Sequence, residues 1–319
     1  MAIQKTKLES KPNWKIGEYN RWADYIELMC LKDEMITPDD MMDILRDGDN
    51  DNEYDRGGDT HLEKANELEN QMKDYFTLVK SRSREYGAYY PFLLEAGNCI
   101  KRSPEFTEKQ KQYIFLLACS SICFMKQTDM QKYTTEFERF SKTVLPMLVP
   151  SDAVVELFGT KREESGYTGT LRARIEMLAK KLGANTTKSF DHNSKYDKIK
   201  AGDDGLDIVA FLPVDQAQAI PFAFAQCTCS YDKWKEKQDT VSMDYWNTKI
   251  EPLISYPIFM FVPFSCHNNA GKFYDVTNLR SFLIDRDRII KLIDKNCDEV
   301  FQKEINAFCQ KVCLDELFS

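Results

Sequence analysis

"PFAFAQCTCS", residues 221–230, is apolar apart from the polar pair Gln226 and Thr228 and a terminal serine. Such a short apolar stretch is typical of a buried strand. The stretch before it, "GDDGLDIVAF" at 202–211, predicts a second strand with one carboxylate, Asp207, among apolar neighbours. A turn segment around "DQAQAI" separates the two stretches, so they are expected to pair as neighbouring strands of one sheet.

Side-chain alternation assigns the polar residues of these strands to faces. Asp207 shares a face with Val209 and Phe211, and Gln226 shares a face with Thr228. If the strands pair, Asp207 converges with Gln226 and Thr228 at one end of the sheet. An ionised aspartate among apolar residues is costly unless it is paired or binds a metal. Two interpretations stay open: Asp207 caps a turn or pairs with a nearby lysine, or it binds a metal ion.

The segments around this pair complete an α/β pattern over residues 151–319. Residues 169–183 predict an amphipathic helix, residues 231–250 a further helix, residues 256–264 a buried strand, and residues 281–296 a strand that leads into a helix. The order of helices and strands predicts an α/β sandwich around a central mixed sheet.

Residues 1–150 predict a separate helical domain. Apolar residues recur there at helical spacing, as in the stripe formed by Trp22, Tyr25, Ile26 and Met29. An acidic loop lies near residues 47–60, and its alternating aspartates resemble a calcium loop. Counted from Asp47, position six is Asn52 and position twelve is Gly58, which excludes an EF-hand. A solvated loop is expected.

Composition limits the classes of partner. The chain has 319 residues, of which 43% are hydrophobic, which favours two domains. Residues 31–70 contain 14 acidic and 4 basic residues, which gives this segment a net charge of −10. Because the whole chain has a net charge of −8, the remaining residues together carry about +2. Much of the surface can therefore face a phosphate backbone. The sequence has no apolar run long enough for a membrane span and no secretory signal. Ten cysteines in a chain with no export signal favour reduced thiols, and therefore a cytoplasmic location is expected.

The motif in 202–230 resembles the Mrr-like branch of the PD-(D/E)xK restriction-endonuclease superfamily. In that branch a "DGG-hydrophobic-D" block precedes one strand and "Q-x-K" closes the next. Gly202, Asp204, Gly205 and Asp207 match the first block, and Gln226 matches the first position of the second. The resemblance implies that Asp207 and Gln226 bind Mg²⁺ or Mn²⁺. Many members also use a glutamate on the preceding helix, for which Glu176 is the candidate.

Thr228 departs from the family pattern because the family has a catalytic lysine at this position. A threonine hydroxyl cannot supply the positive charge that stabilises a developing phosphate charge. Either a lysine has migrated, with Lys233, Lys235 or Lys237 of the following "DKWKEK" segment returning to the site, or the site no longer cuts. The same lysines are also what an ordinary solvated helix face would show.

The resemblance implies a metal-dependent DNA endonuclease of the restriction-endonuclease type. Cutting both strands needs two sites, so a homodimer or larger assembly is expected. The branch also implies a role in prokaryotic antiviral defence against foreign DNA, with a possible partner protein of a defence system. The alternatives are a catalytically silent interaction or nucleic-acid-binding module in a multiprotein assembly, and a nuclease that acts on RNA.

Overall fold

The computed structural model describes residues 18–47, 59–159, 165–197, 202–215, 217–268, 270–311 and 317–318. The acidic loop predicted near 47–60 falls outside them at 48–58. The chain forms two compact units. The first, the helical unit, comprises Met1–Tyr133, Phe264–Asp275 and Gln302–Ser319, and the second, the sheet unit, comprises Thr134–Pro263 and Val276–Phe301. Two late segments thus belong to the first unit, whereas the sequence prediction placed a single boundary at residue 150.

The helical unit is built on helices, as its sequence predicts, although the first of them is buried on all sides over residues 22–31 rather than along one stripe. They begin with α1 (Tyr19–Asp33), α2 (Pro38–Asp47), α3 (Asp59–Tyr86) and α4 (Glu108–Ser120). The predicted stripe of α1 is buried at Trp22, Tyr25, Ile26 and Met29. An antiparallel sheet in the order β1-β3-β2 accompanies them, with β1 at Met35–Ile36, β2 at Phe92–Leu94 and β3 at Ile100–Arg102. Sequence periodicity missed this sheet because strands of two or three residues are too short to show alternation.

The sheet unit contains the predicted central mixed sheet, so the α/β fold class is confirmed. Its strand order is β10-β9-β7-β6-β4. The strands are β4 (Val154–Leu157), β6 (Ile208–Phe211), β7 (Phe222–Cys227), β9 (Ile258–Phe261) and β10 (Phe282–Ile284). The three strands β7, β9 and β10 run parallel, and β4 and β6 pair antiparallel. The strand β4 forms the edge of this sheet next to β6.

The remaining α-helices of the described residues follow in chain order. They are α5 (Gln127–Val144), α6 (Leu171–Lys181), α7 (Lys188–Asp191), α8 (Trp234–Lys237), α9 (Met243–Trp246), α10 (Arg286–Lys295) and α11 (Glu299–Cys309). A two-stranded sheet pairs β5 (Asn185–Thr186) with β8 (Ile250–Glu251). Among the described residues, no helix combines the length and apolar character needed to cross a membrane.

The predicted helix at 231–250 is wrong as one continuous element. The chain forms the short helices α8 and α9, with a 3₁₀ turn at Gln238–Val241 between them, before it enters β8. Ser242 caps α9 by accepting a hydrogen bond from the Tyr245 amide. A serine that caps a new helix competes with continuation of the old one. After this break, Thr240, Tyr245 and Lys249 contact Asp204 and Gly205 in the turn that precedes β6.

Candidate functional site

Asp207 and Gln226 face each other where β6 meets β7. Because Ile208 pairs with Ala225, Asp207 lies opposite Gln226 in the antiparallel register. Gln226 Nε2 donates to Asp207 Oδ2 at 2.7 Å, and the Cys227 amide donates to the same oxygen at 2.7 Å. Asp207 is 3% exposed and Gln226 5%. The predicted convergence of these two side chains is therefore present in the structure.

The turn before β6 fixes the position of Asp207. The Leu206 amide donates to the Asp203 carbonyl at 3.2 Å, and the two central residues, Asp204 and Gly205, have φ of 56° and 85°. Two left-handed central residues define a type I′ turn. A Cβ at Gly205 would lie 2.2 Å from Thr240 Oγ1, so this position requires glycine for space as well as for conformation.

Thr240 connects this turn to the carboxylate–amide pair. Its hydroxyl lies 3.3 Å from Gln226 Oε1, 3.3 Å from the Gly205 carbonyl and 2.8 Å from the Lys237 carbonyl. A hydroxyl has a single proton, so these three oxygens share one donor. Thr240 is itself held by Trp246, whose Nε1 donates to the Thr240 carbonyl at 2.9 Å.

A fully buried lysine occupies the other side of the same turn. Lys249 is 0% exposed, and its Nζ lies 2.6 Å from Asp204 Oδ2, as an ion pair rather than an aligned hydrogen bond. The ammonium also lies 3.3 Å from the Tyr245 ring centroid and 4.2 Å from that of Trp246. Burial lowers the pKa of Lys249 to about 8, because loss of hydration outweighs the attraction of Asp204.

Asp204 also accepts a hydrogen bond from the Tyr245 hydroxyl at 2.8 Å. Burial raises the pKa of Tyr245 above its ordinary range, and the bond to the Asp204 carboxylate adds to the effect. On the opposite side, the buried Arg174 of α6 donates to the Gly202 carbonyl at 2.7 Å. Side chains from three separate segments therefore hold the turn that leads to Asp207.

The other predicted site residues lie around this centre at different depths. Thr228 is buried and its Oγ1 accepts from the Ser230 amide at 3.2 Å. Lys233 is exposed, and Lys235 is partly buried with its Nζ 5.6 Å from the Trp234 ring centroid. Glu176 is exposed on α6, where the neighbouring Ile175 is buried. The structure thus joins Asp207 to Gln226 and leaves Glu176 and Lys233 at the surface.

Sequence reasoning missed Lys249, Thr240 and Tyr245 as members of the site. Lys249 follows Trp246 by three residues and directly precedes a strand residue, Ile250. A lysine at helical spacing from a tryptophan and next to a strand was the one available signal of its burial. The prediction of one continuous helix at 231–250 concealed it.

Comparison with known proteins found no match, whether to protein-family models, to curated proteins or to solved structures. The chemistry of the site therefore rests on its own geometry. A carboxylate and an amide oxygen are the hard donors that Mg²⁺ accepts. The adjacent turn carries a second carboxylate, Asp204, which forms an ion pair with the buried ammonium of Lys249.

Proposed function

We propose that this protein is a metal-dependent DNA endonuclease that hydrolyses phosphodiester bonds. The observation that carries the proposal is the pairing of Asp207 with Gln226 across β6 and β7, both buried at the end of a mixed sheet. Burial of an ionised carboxylate is costly unless hydrogen bonds, a cation or a metal ion offset the loss of hydration.

The residues present fit a Mg²⁺ or Mn²⁺ ion after one small rearrangement. Gln226 presents its Nε2 to Asp207 and its Oε1 to Thr240. Rotation of the terminal amide exchanges the two atoms, so that the oxygen faces Asp207 while the nitrogen donates to the Thr240 hydroxyl. Asp207 and Gln226 would hold the metal ion, and the ion would lower the pKa of the attacking water.

The remaining residues of the site would orient these ligands and balance charge. Thr228 and Thr240 fix hydroxyl groups at the end of β7 and beside Gln226. Lys233 and Lys235 follow β7 directly and are the candidates for the cation that stabilises developing phosphate charge. Glu176, which is exposed on α6, would need to turn inward to act as a further ligand.

The biological setting is proposed on the motif resemblance. The enzyme would act in the cytoplasm on foreign DNA, as the effector of a prokaryotic defence system. Cleavage of both strands would need a homodimer or a larger assembly, and a partner protein of the defence system could supply recognition.

A catalytically silent module is the second candidate, and the closure of the site favours it. Asp207 Oδ2 already accepts two hydrogen bonds from protein donors, and the amide of Gln226 is engaged at both ends. A phosphate could reach these buried groups only after the surrounding turn opened. The same network would also suit a nuclease-like core that binds nucleic acid or a protein without cutting.

Cleavage of supercoiled plasmid DNA with Mg²⁺ or Mn²⁺ tests the proposal. We expect the wild type to nick or linearise the plasmid. Asp207→Asn should lower the cleavage rate by about a hundredfold or more, because the substituted amide lacks the negative charge that binds the metal ion. The triple variant Lys233→Ala, Lys235→Ala and Lys237→Ala tests the migrated cation. Lys180→Ala removes an exposed lysine of α6 and is the matched control.

The outcomes separate the two candidates. Cleavage that requires Asp207 and survives in the Lys180 control supports the endonuclease. If a folded wild type cuts neither plasmid nor single-stranded RNA with either metal, the silent module is the better description. Cleavage of RNA alone would replace the DNA assignment.

A further inference from the structure

We propose that Lys249 is a positioning residue: its ion pair with Asp204 fixes the type I′ turn at 203–206 and thereby orients Asp207 for metal binding. The link to metal binding rests on the proposed function, whereas the link to the orientation of Asp207 does not. Lys249 acts through Asp204 and is not assigned a contact with substrate.

The turn needs external support because its backbone is unfavourable. Asp204 adopts φ of 56°, a left-handed conformation that costs free energy for a residue with a side chain. One oxygen of Asp204 accepts from Tyr245 at 2.8 Å, and the other lies 2.6 Å from Lys249 Nζ. These two contacts tie the strained residue to α9 and to the residue just before β8.

The strained turn is directly connected to Asp207. Asp207 is three residues after Asp204, and its amide donates to the Ala225 carbonyl at 3.2 Å. Its carboxylate receives the Cys227 amide at 2.7 Å. If the turn relaxes, the first residues of β6 move relative to β7, and this carboxylate–amide bond weakens.

The charges that face Lys249 make the pair dependent on pH. Asp204 approaches from the turn, the Tyr245 ring from α9, and Lys195 acts from the segment after α7 as a like charge. Tyr196 in turn faces Tyr245. Burial lowers the pKa of Lys249 to about 8, so the ammonium that binds Asp204 is present at neutral pH and is lost above that value.

Hydrogen exchange of the Cys227 amide measures the position of Asp207 without any need for activity. The variants are Lys249→Met, Asp204→Asn and the double variant, with Lys180→Met at an exposed position as the matched control. At pH 7 we expect the Cys227 amide to lose protection by roughly tenfold in both single variants, the effect of one charged contact. The double variant should lose no more than either single variant, because both remove the same pair.

A pH series distinguishes positioning from a general loss of stability. The difference in Cys227 protection between the wild type and Lys249→Met should grow between roughly pH 7.5 and 9.5, because opening of the turn returns Lys249 to water and to its ordinary pKa of 10.5, and the proton that opening then takes up becomes scarcer as the pH rises. A merely structural lysine would change all core amides together. Affinity for Mn²⁺, measured by calorimetry on the same variants, should fall in parallel.

Each outcome has one meaning. Equal Cys227 protection in the wild type and Lys249→Met at pH 7 overturns the positioning role. If protection falls as expected but the wild type neither binds Mn²⁺ nor cuts DNA, positioning stands and the proposed nuclease fails. If Lys249→Met does not fold, Asp204→Asn carries the test alone, since it removes the same ion pair and keeps the size of the side chain.

Discussion

The two units each bury a basic side chain among acids, and the two sites behave in opposite ways. In the helical unit, Arg82 of α3 lies 2.8 Å from Asp24 and 3.0 Å from Glu27, both on α1. In the sheet unit, Lys249 lies 2.6 Å from Asp204. Burial acts to lower the pKa of Arg82, but the two carboxylates hold it well above its ordinary value. Burial lowers the pKa of Lys249 to about 8.

The difference follows from the number of partners and the shape of the cation. A guanidinium presents five donors in a planar fork, and Arg82 also donates to the Asn20 side chain at 3.0 Å. The two carboxylates are completed by neutral donors from other segments, namely Tyr90, Tyr113 and Ser120. Lys249 has a compact ammonium, one carboxylate and two aromatic faces. The first site is built to stay charged, and the second changes its charge near neutral pH.

Loss of Arg82 should give the largest effect on stability. Arg82→Met leaves Asp24 and Glu27 buried without their guanidinium, and breaking such a pair costs about 3–5 kcal/mol. The measurement is the free energy of unfolding in urea at pH 7. Arg84→Met changes an exposed arginine two residues along the same helix and should stay within about 0.5 kcal/mol. A cost below about 1 kcal/mol for Arg82→Met would show that the network does not hold the unit together.

Much of the fold was predictable because it depends on apolar periodicity. The helical stripe of α1, the pairing of β6 with β7 and the central mixed sheet all follow from which positions are apolar. Side-chain alternation, with the expected pairing of the two strands, predicted that Asp207 converges with Gln226 and Thr228 at one end of the sheet, and the structure shows Asp207 hydrogen-bonded to Gln226.

The rest of the site depends on long-range polar contacts, which periodicity does not encode. Within 231–250 the break is marked by a single residue of a helix-capping type, Ser242, which is a weak signal. Without the break, Lys249 is expected to be a surface lysine. Arg82 likewise reads as one more polar residue of a long helix, although it is 2% exposed. Apolar periodicity predicts which faces are buried, but it does not predict which charged residues are buried between those faces.

The backbone of the turn offers a second way to disturb the sheet unit. Gly205→Ala places a Cβ 2.2 Å from Thr240 Oγ1 at a φ of 85°. Strain and crowding together should cost roughly 2–4 kcal/mol. Gly202→Ala is the control, since no atom lies within 4 Å of its added Cβ and its φ is not left-handed. Urea unfolding of the two variants checks this, and equal stability would show that the turn adapts freely.

The smallest expected effect is the pH dependence that Lys249 alone gives to the free energy of unfolding. The unfolded chain keeps the Lys249 proton up to its ordinary pKa of 10.5, whereas the folded protein releases it near pH 8. Between these values the unfolded state binds more protons, so this group makes the free energy of unfolding rise with pH. Between roughly pH 7.5 and 9.5 the rise should be about 2 kcal/mol.

Lys249→Met removes that contribution. The difference between the wild-type and Lys249→Met free energies of unfolding, taken at each pH, therefore reports Lys249 alone, because the effects of all other titrating groups cancel. Urea unfolding at closely spaced pH values measures both curves, with Lys180→Met as the exposed control. A difference that rises with pH would establish Lys249 as a buried base that changes charge in the neutral range. A flat difference would mean that Lys249 keeps its proton as Arg82 does, because the attraction of Asp204 then balances the loss of hydration.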